Sequence, residues 1–545
     1  MANKDLPASF HTPTVLNRTS LSFCDTSVKA LTVWMGTLSL HKLGDTAEAL
    51  LNALNELTEL KCNETLRYDL IQVLHPFIEH VLIILVNHAL QLSAPYSDRK
   101  NQLIELCLRI RIRFIHLYMD MVYRSHQQLT DLKGAFFKFT LKRSLKNVRQ
   151  LSSFYALRLF SRLLVLQQKN YDHCLVDQWL STHMLYQLAC KNGEQLVNIN
   201  QLQGSNYSLQ HIRHVYAQAL LLNILYTYQV RPVETEALFH CTGEWVNLVQ
   251  VTQEETLSSR YSIDTNLDSP PIYKQKRPRD SNANLFLCTQ DLLEHINNTI
   301  QYNSNSMSKI ETQYLTPALQ FHIQNILGTN HAERRHQRFE HSAQLEICFS
   351  VQAAHYHLTQ AKHTPEQPTL LLPTLDRETI QVHITNVLDI SAQGYRIHFP
   401  NERPKLLNTG EFILLKEQTD QHWKAGVIRW EKKYVMNSYA FGVEVLATQL
   451  QACYLQFTNQ ATKQSAQSIP SLILFQPSFG RSNFSLILPN LAEFNAEAPL
   501  ILNLADQYFE IQLTKKLLIT ESVLQFNFAL SDPEQYRSLL NLLQV

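Results

Sequence analysis

The chain has 545 residues, of which 45% are hydrophobic and 17% are charged. This composition fits a globular protein of several domains and excludes a disordered chain. The 48 basic side chains nearly balance the 47 acidic ones. The overall charge therefore argues against a nucleic-acid binder or a membrane-surface binder, and any anion site must be local.

The cysteines and the apolar runs indicate the compartment. The nine cysteines are odd in number, and none belongs to a Cys-x-x-Cys pair, which argues against a disulfide framework or a zinc site. The N-terminus lacks the apolar run of a signal peptide. The most apolar stretch, 81–86, is far shorter than the ~20 residues that span a bilayer. We expect a cytoplasmic protein with no membrane span and no bound metal.

The region from about residue 20 to 250 has the apolar spacing of α-helices. Leu50, Leu54 and Leu57 recur at spacings of three and four, as do Ile110 and Phe114. Glycine and proline are scarce, which favours long helices. The expected breaks lie near residues 61–65, 93–99, 130–134, 167–173, 191–206 and 229–232. They predict about seven helices in a bundle or an irregular solenoid.

One of these helices carries a basic stripe. Lys138, Lys142, Lys146 and Arg149 recur at helical spacing. The stripe could dock an acidic partner or simply face solvent.

Residues 253–330 are more polar than the helical region. Turn-forming sequences such as Asp268-Ser-Pro-Pro predict a linker here. Two shorter helices are expected at about 289–300 and 312–327, and Gly328 ends the second one.

After residue 341 the sequence changes to short β-strands separated by turn residues. The expected strands are 345–351, 380–388, 395–399, 411–415, 423–430 and 439–445. Six short strands at this spacing predict a small antiparallel barrel. Further β-rich runs and a short helix near 533–543 predict another small β-domain over 448–545. The predicted fold class is multidomain α + β: an all-α bundle or irregular solenoid over 1–252, the linker, the barrel and the C-terminal β-domain.

Two motifs around the predicted barrel combine charged and small side chains. One is Arg-x-x-x-Arg before the first strand, and the other is Asp-x-Ser-x-x-Gly between two strands. The residues are Arg334, Arg335, Arg338, Asp389, Ser391 and Gly394. In this order, the motifs resemble the two signatures of the PilZ family of cyclic di-GMP receptors. The resemblance covers roughly 331–447 and implies a PilZ-type barrel that binds cyclic di-GMP and needs no cofactor.

The chemistry of these residues suits a ligand with two phosphates and two guanines. Arginine is always charged, and its planar fork can hold a phosphate or pair with guanine O6 and N7. Asp389 can accept hydrogen bonds from guanine N1 and N2, and Ser391 offers a short hydroxyl. We expect Gly394 to supply a positive φ at the turn. Two alternatives stay open: Arg335 contacts ligand or solvent, and Trp430 stacks near a guanine or lies in the core.

The sequence lacks enzymatic signatures. It contains no Gly-x-Gly-x-x-Gly, Gly-x-x-x-x-Gly-Lys or Gly-x-Ser-x-Gly motif. It has no Gly-Gly dipeptide, so the Gly-Gly-Asp-Glu-Phe signature of the enzymes that make cyclic di-GMP is absent. Glu-Ala-Leu occurs at 48–50 and 236–238, but neither is followed two residues later by the arginine of the phosphodiesterase pattern. We therefore predict a receptor and not an enzyme.

The resemblance also implies a downstream role. Residues 1–252 would contact a protein partner that controls motility, type IV pili or surface attachment, and no nucleic acid is expected as a ligand. The alternative is a structural scaffold whose PilZ-like barrel has lost its ligand.

Overall fold

In a computed structural model of the chain, the described residues fall into two compact units. The first unit comprises residues 1–227 and 235–314, and the second comprises 228–234 and 315–545. The described residues are 14–91, 98–132, 137–170, 174–203, 209–225, 229–302, 307–328, 339–360, 379–391, 394–400, 403–433, 438–458, 468–478, 481–495 and 499–543.

The N-terminal region is α-helical, as predicted. Its helices are α1 (Val28–Met35), α2 (Leu43–Glu59), α3 (Glu64–Gln91), α4 (Asp98–Asp131), α5 (Phe139–Lys169), α6 (Gln178–Lys191), α7 (Ile199–Gln203), α8 (Ile212–Ile224) and α9 (Pro232–Trp245). The predicted breaks lie near the ends of the long helices, and the break predicted at 191–206 contains the short helix α7. The prediction omitted α1 and α7, because helices of five to eight residues are too short for the apolar period to show.

Helix α3 is more apolar than the sequence analysis recognised. Its stretch Glu64–Ala89 is long and apolar enough to cross a membrane, with a mean hydropathy of 1.7. In this fold it contributes the buried side chains of Leu74, Ile78 and Leu82 to the helical core. Of its most apolar window, 39% is buried inside the fold.

The predicted linker differs from the structure in its first part. Residues 250–288 form an antiparallel sheet in the order β1-β4-β2-β3. The strands are β1 (Gln250–Thr252), β2 (Ser259–Ile263), β3 (Ile272–Tyr273) and β4 (Leu285–Cys288). Tyr261 and Leu287 are buried in this sheet. The strands are short and the connections between them are polar, so the composition of the segment is that of a linker. The prediction rested on this composition and therefore did not include the strands.

Three helices follow the small sheet. Helices α10 (Gln290–Tyr302) and α11 (Lys309–Tyr314) belong to the first unit, and α12 (Pro317–Leu327) belongs to the second. The Thr316 hydroxyl caps α12 by accepting a hydrogen bond from the Leu319 amide.

The predicted barrel follows α12 in the second unit. Its strands are β5 (Phe339–Glu340), β6 (Gln344–Phe349), β7 (His383–Ser391), β8 (Gly394–Phe399), β9 (Phe412–Glu417), β10 (Lys424–Lys433) and β11 (Tyr439–Ala447). They are ordered β5-β7-β6-β9-β10-β11-β8, and an additional β7–β8 pairing closes six of them into a ring. A helix that was not predicted, α13 (Val351–Gln360), follows β6.

The C-terminal β-domain is a closed barrel in the order β12-β13-β14-β17-β16-β15. Its elements are β12 (Gln449–Phe457), β13 (Ile469–Ser478), β14 (Arg481–Pro489), β15 (Pro499–Leu504), β16 (Gln507–Ile519), β17 (Val523–Leu530) and a final helix, α14 (Tyr536–Leu543). Buried residues from α13 and from both barrels, among them Ala354, Phe412 and Leu472, form one hydrophobic cluster. The predicted fold class is confirmed.

Candidate ligand-binding site

The Asp-x-Ser-x-x-Gly motif lies at the hairpin between β7 and β8. Ser391 pairs with Gly394, and Asp389 pairs with Arg396. The Ser391 hydroxyl lies 3.4 Å from the Gly394 carbonyl oxygen, to which it donates. Because alternate residues of a strand share a face, Asp389 and Ser391 project to the same side of the sheet.

Strand β5 connects the two motifs. Phe339 pairs with Ile390, and Glu340 pairs with Asp389. The two residues that follow the arginine motif in the sequence are therefore paired with the strand that carries the second motif. Arg334, Arg335 and Arg338 lie outside the described residues, and their contacts with ligand stay a prediction.

Arg396, which is not among the residues predicted from the motifs, forms an ion pair with the predicted site residue Asp389. Its Nη1 atom lies 3.4 Å from Asp389 Oδ2, and the two side chains are 35% and 16% exposed. The ion pair orients the Asp389 carboxylate on the face of the hairpin that carries Arg396. The signal was present in the sequence, because a two-residue loop after Ser391 places Arg396 opposite Asp389.

The expected role of Gly394 is wrong in its mechanism. Only Gly193 and Gly410 have positive φ among the described glycines. A Cβ atom at Gly394 would instead overlap the carbonyl oxygen of Val443 on β11. The position needs glycine because two backbones approach closely there, and not because of a left-handed turn.

We expect Gly394→Ala to loosen the β8–β11 pairing. Overpacking of this kind costs about 1–3 kcal/mol, so local hydrogen exchange in β8 and β11 should accelerate roughly tenfold or more. Gly44→Ala is the matched control, because a Cβ at Gly44 meets no atom within 4 Å. Unchanged protection of β8 and β11 in Gly394→Ala would contradict the close-approach explanation.

Trp430 lies on the same face as Arg396. Both residues pair with Gly442, from β10 and β8 respectively, and a Cβ at Gly442 would collide with the indole. The neighbouring Ile397 and Phe441 are fully buried, so this face is the outer one. Trp430 is half-buried and covers Gly442, which corrects the alternative of a core position.

A polar network holds the chain just after β5. His341 Nε2 lies 3.1 Å from Glu417 Oε2. The Tyr395 hydroxyl donates to Glu417 Oε1 at 2.8 Å, and Lys424 Nζ donates to the Tyr395 oxygen at 2.8 Å. Burial raises the pKa of the Tyr395 phenol, which keeps it a donor at neutral pH. Glu417 therefore anchors His341, three residues after the arginine motif.

Comparison with known proteins identifies this type of barrel. A family model described as the cyclic-di-GMP receptor FimW, middle PilZ domain, matches residues 261–368 and 362–451. The model for the N-terminal domain of the same receptor matches residues 29–256. The barrel that carries Asp-x-Ser-x-x-Gly thus lies within the middle PilZ domain, which also includes strands β2 to β4.

The similarity extends over the whole chain. The cyclic-di-GMP receptor FimW of Pseudomonas aeruginosa is 23% identical over 98% of this chain and 95% of its own length. Two solved structures of K. pneumonia MrkH, the second in its apo state, match 37% of this chain and 84% and 86% of theirs, with identities of 13% and 14% and TM-scores of 0.14 and 0.13. By the two models and the full-length relative, the chain belongs to the FimW-type family of PilZ-domain cyclic di-GMP receptors.

Proposed function

We propose that this protein is a cyclic di-GMP receptor whose ligand binds on the outer face of the first barrel. The proposed contacts are Arg334, Arg335, Arg338, Asp389, Ser391 and Gly394. The observation that supports the proposal is the β5–β7 pairing, in which Phe339 and Glu340, the two residues that follow the arginine motif in the sequence, pair with Ile390 and Asp389. Two charged motifs that are remote in sequence then serve one ligand.

Each group on this face has a definite task. The arginines neutralise the phosphates with charge-assisted hydrogen bonds. Asp389, held by Arg396 at 3.4 Å, accepts from the guanine Watson–Crick edge, which adenine could not satisfy. The half-buried indole of Trp430 offers a flat apolar surface in the same row of the sheet, on which a guanine can stack.

The receptor acts in the cytoplasm, does not catalyse a reaction, and passes the signal to a protein partner. Residues 1–252 supply the partner surface, because they fold into helices with no catalytic signature. The controlled process is motility, type IV pili or surface attachment. A scaffold with a ligand-free barrel is the second candidate, and the presence of both motifs argues against it.

Calorimetric titration of the full-length chain with cyclic di-GMP is the direct test. We expect saturable binding that is far tighter than that of GMP, because GMP provides only one guanine and one phosphate. No binding of cyclic di-GMP would favour the scaffold.

His341→Ala is expected to weaken cyclic di-GMP binding about fivefold. Strand β5 has only two residues, both exposed, so the tether to Glu417 helps to hold the end of the arginine motif in place. A hydrogen bond of this kind contributes about 1 kcal/mol. His422→Ala, at an exposed turn of the same barrel, is the control in calorimetry. Equal affinities of the two variants would show that the tether does not position the arginines.

A further inference from the structure

The N-terminal end of helix α5 exposes apolar side chains to an unusual degree. Phe137 is 99% exposed, Phe139 is 74% exposed and Leu141 is 43% exposed. Burial in this helix begins only at Leu145. Residues 137–146, called here the α5 tip, therefore extend beyond the packed part of the first unit.

The α5 tip is also basic. Lys138, Arg143 and Lys146 are exposed, and Lys142 is half-buried. None of the four forms an ion pair with another described residue, and residues 132–171 contain no acidic side chain. Arg149, the last residue of the predicted basic stripe, does not belong to this exposed group. Its guanidinium is buried and lies 2.7 Å from Glu194.

The tip does not favour the folding of its own helix. The N-cap residue, Lys138, makes no side-chain capping bond, and the first turn has no acidic residue. Positive charge at a helix N-terminus opposes the macrodipole, and exposed aromatic rings gain nothing from the fold. A sequence that breaks these local rules without compensation indicates a function outside the fold.

We propose that the α5 tip binds the surface of an anionic lipid membrane. Phenylalanine and leucine side chains enter the boundary between headgroups and acyl chains, while neighbouring lysines and arginines reach the anionic headgroups. A projecting helix end with nearly free rings suits a soft interface, where no shaped cavity is needed. This contact is peripheral, involves no membrane span and is independent of the proposed cyclic di-GMP site.

The net charge of the chain is only +1, so the whole protein is not attracted to an anionic membrane. The attachment is therefore limited to the α5 tip and is reversible. Few apolar side chains enter the lipid, so much of the attraction comes from the cations. The binding should therefore fall steeply as salt is added, because the Debye length shrinks to about 3 Å at 1 M.

Cosedimentation of the full-length chain with vesicles tests the proposal. We expect binding to vesicles with ~30% phosphatidylglycerol and little binding to pure phosphatidylcholine. Lys142→Gln with Arg143→Gln should lower the partition coefficient roughly tenfold to thirtyfold, and Phe137→Ser with Phe139→Ser should lower it by a similar factor.

Matched controls separate the tip from general surface effects. Lys61→Gln with Lys191→Gln removes two exposed charges elsewhere on the first unit, and Val176→Ser with Leu257→Ser removes two exposed apolar side chains. These variants should bind vesicles like the parent, and circular dichroism should show the parental helix content in all four. Equal binding to both vesicle types, or parental binding by the tip variants, would overturn the proposal. So would absence of vesicle binding combined with tip-dependent capture of an acidic protein.

Discussion

Cyclic di-GMP affinity is expected to fall at least 100-fold when Arg334 and Arg338 are both replaced by alanine. Each charge-assisted contact contributes on the order of 1.5–3 kcal/mol, and the two contacts act on one compact dianion. The rest of the proposed site should stay intact, since strand β5 pairs through the backbone with Ile390 and Asp389. Isothermal calorimetry with the full-length chain measures the loss directly.

The same spacing elsewhere in the chain supplies the control. Arg109 and Arg113 repeat Arg-x-x-x-Arg on helix α4, far along the sequence from the barrel motifs. Arg109→Ala with Arg113→Ala should keep the parental affinity. If the Arg334, Arg338 double variant also kept it, the ligand would not be bound by this motif, and the site proposed on the outer face would fail.

The sequence predicted the elements better than their tertiary roles. Helix ends followed from scarce glycine and from apolar spacing, which are local properties. The buried strands β2 and β4 were missed because Ser259–Ile263 and Leu285–Cys288 are only five and four residues long. Their burial depends on pairing with each other, and a local pattern does not report such pairing.

The site shows the same division. Asp389 and Ser391 form part of a sequence motif, but the ion pair between Asp389 and Arg396 follows only from the register of the hairpin. Gly394 was correctly marked as a special position and wrongly explained, because the strand that excludes a side chain is β11, about fifty residues later. Close approaches between remote strands do not appear in a local sequence pattern.

A second large effect is expected inside the same barrel. Glu431, on β10, is 1% exposed and pairs in register with the fully buried Phe441. Arg403 holds this carboxylate with both its Nε and its Nη2, the latter at 2.8 Å from Oε2. The Arg403 Nη2 also donates to Asn408 Oδ1 at 3.0 Å. The loop before β9 is thereby fixed to the barrel interior by a buried, bidentate ion pair.

Arg403→Met should destabilise the barrel by about 3–5 kcal/mol, because it leaves the Glu431 carboxylate buried without its counter-charge. Hydrogen exchange in β9 and β10 reads this loss without interference from the helical unit. The double variant Arg403→Met, Glu431→Met should regain most of the stability, since an apolar pair needs no compensation. Arg429→Met, on the strand that carries Glu431, is the matched control. The pair of Arg429 with Glu444 is 40% and 44% exposed, and such exposed pairs contribute about 0–1 kcal/mol. Equal losses of stability in Arg403→Met and Arg429→Met would mean that burial of the Arg403–Glu431 pair does not determine its contribution to stability. Recovery of stability in the double variant would assign the loss to the unpaired Glu431 carboxylate.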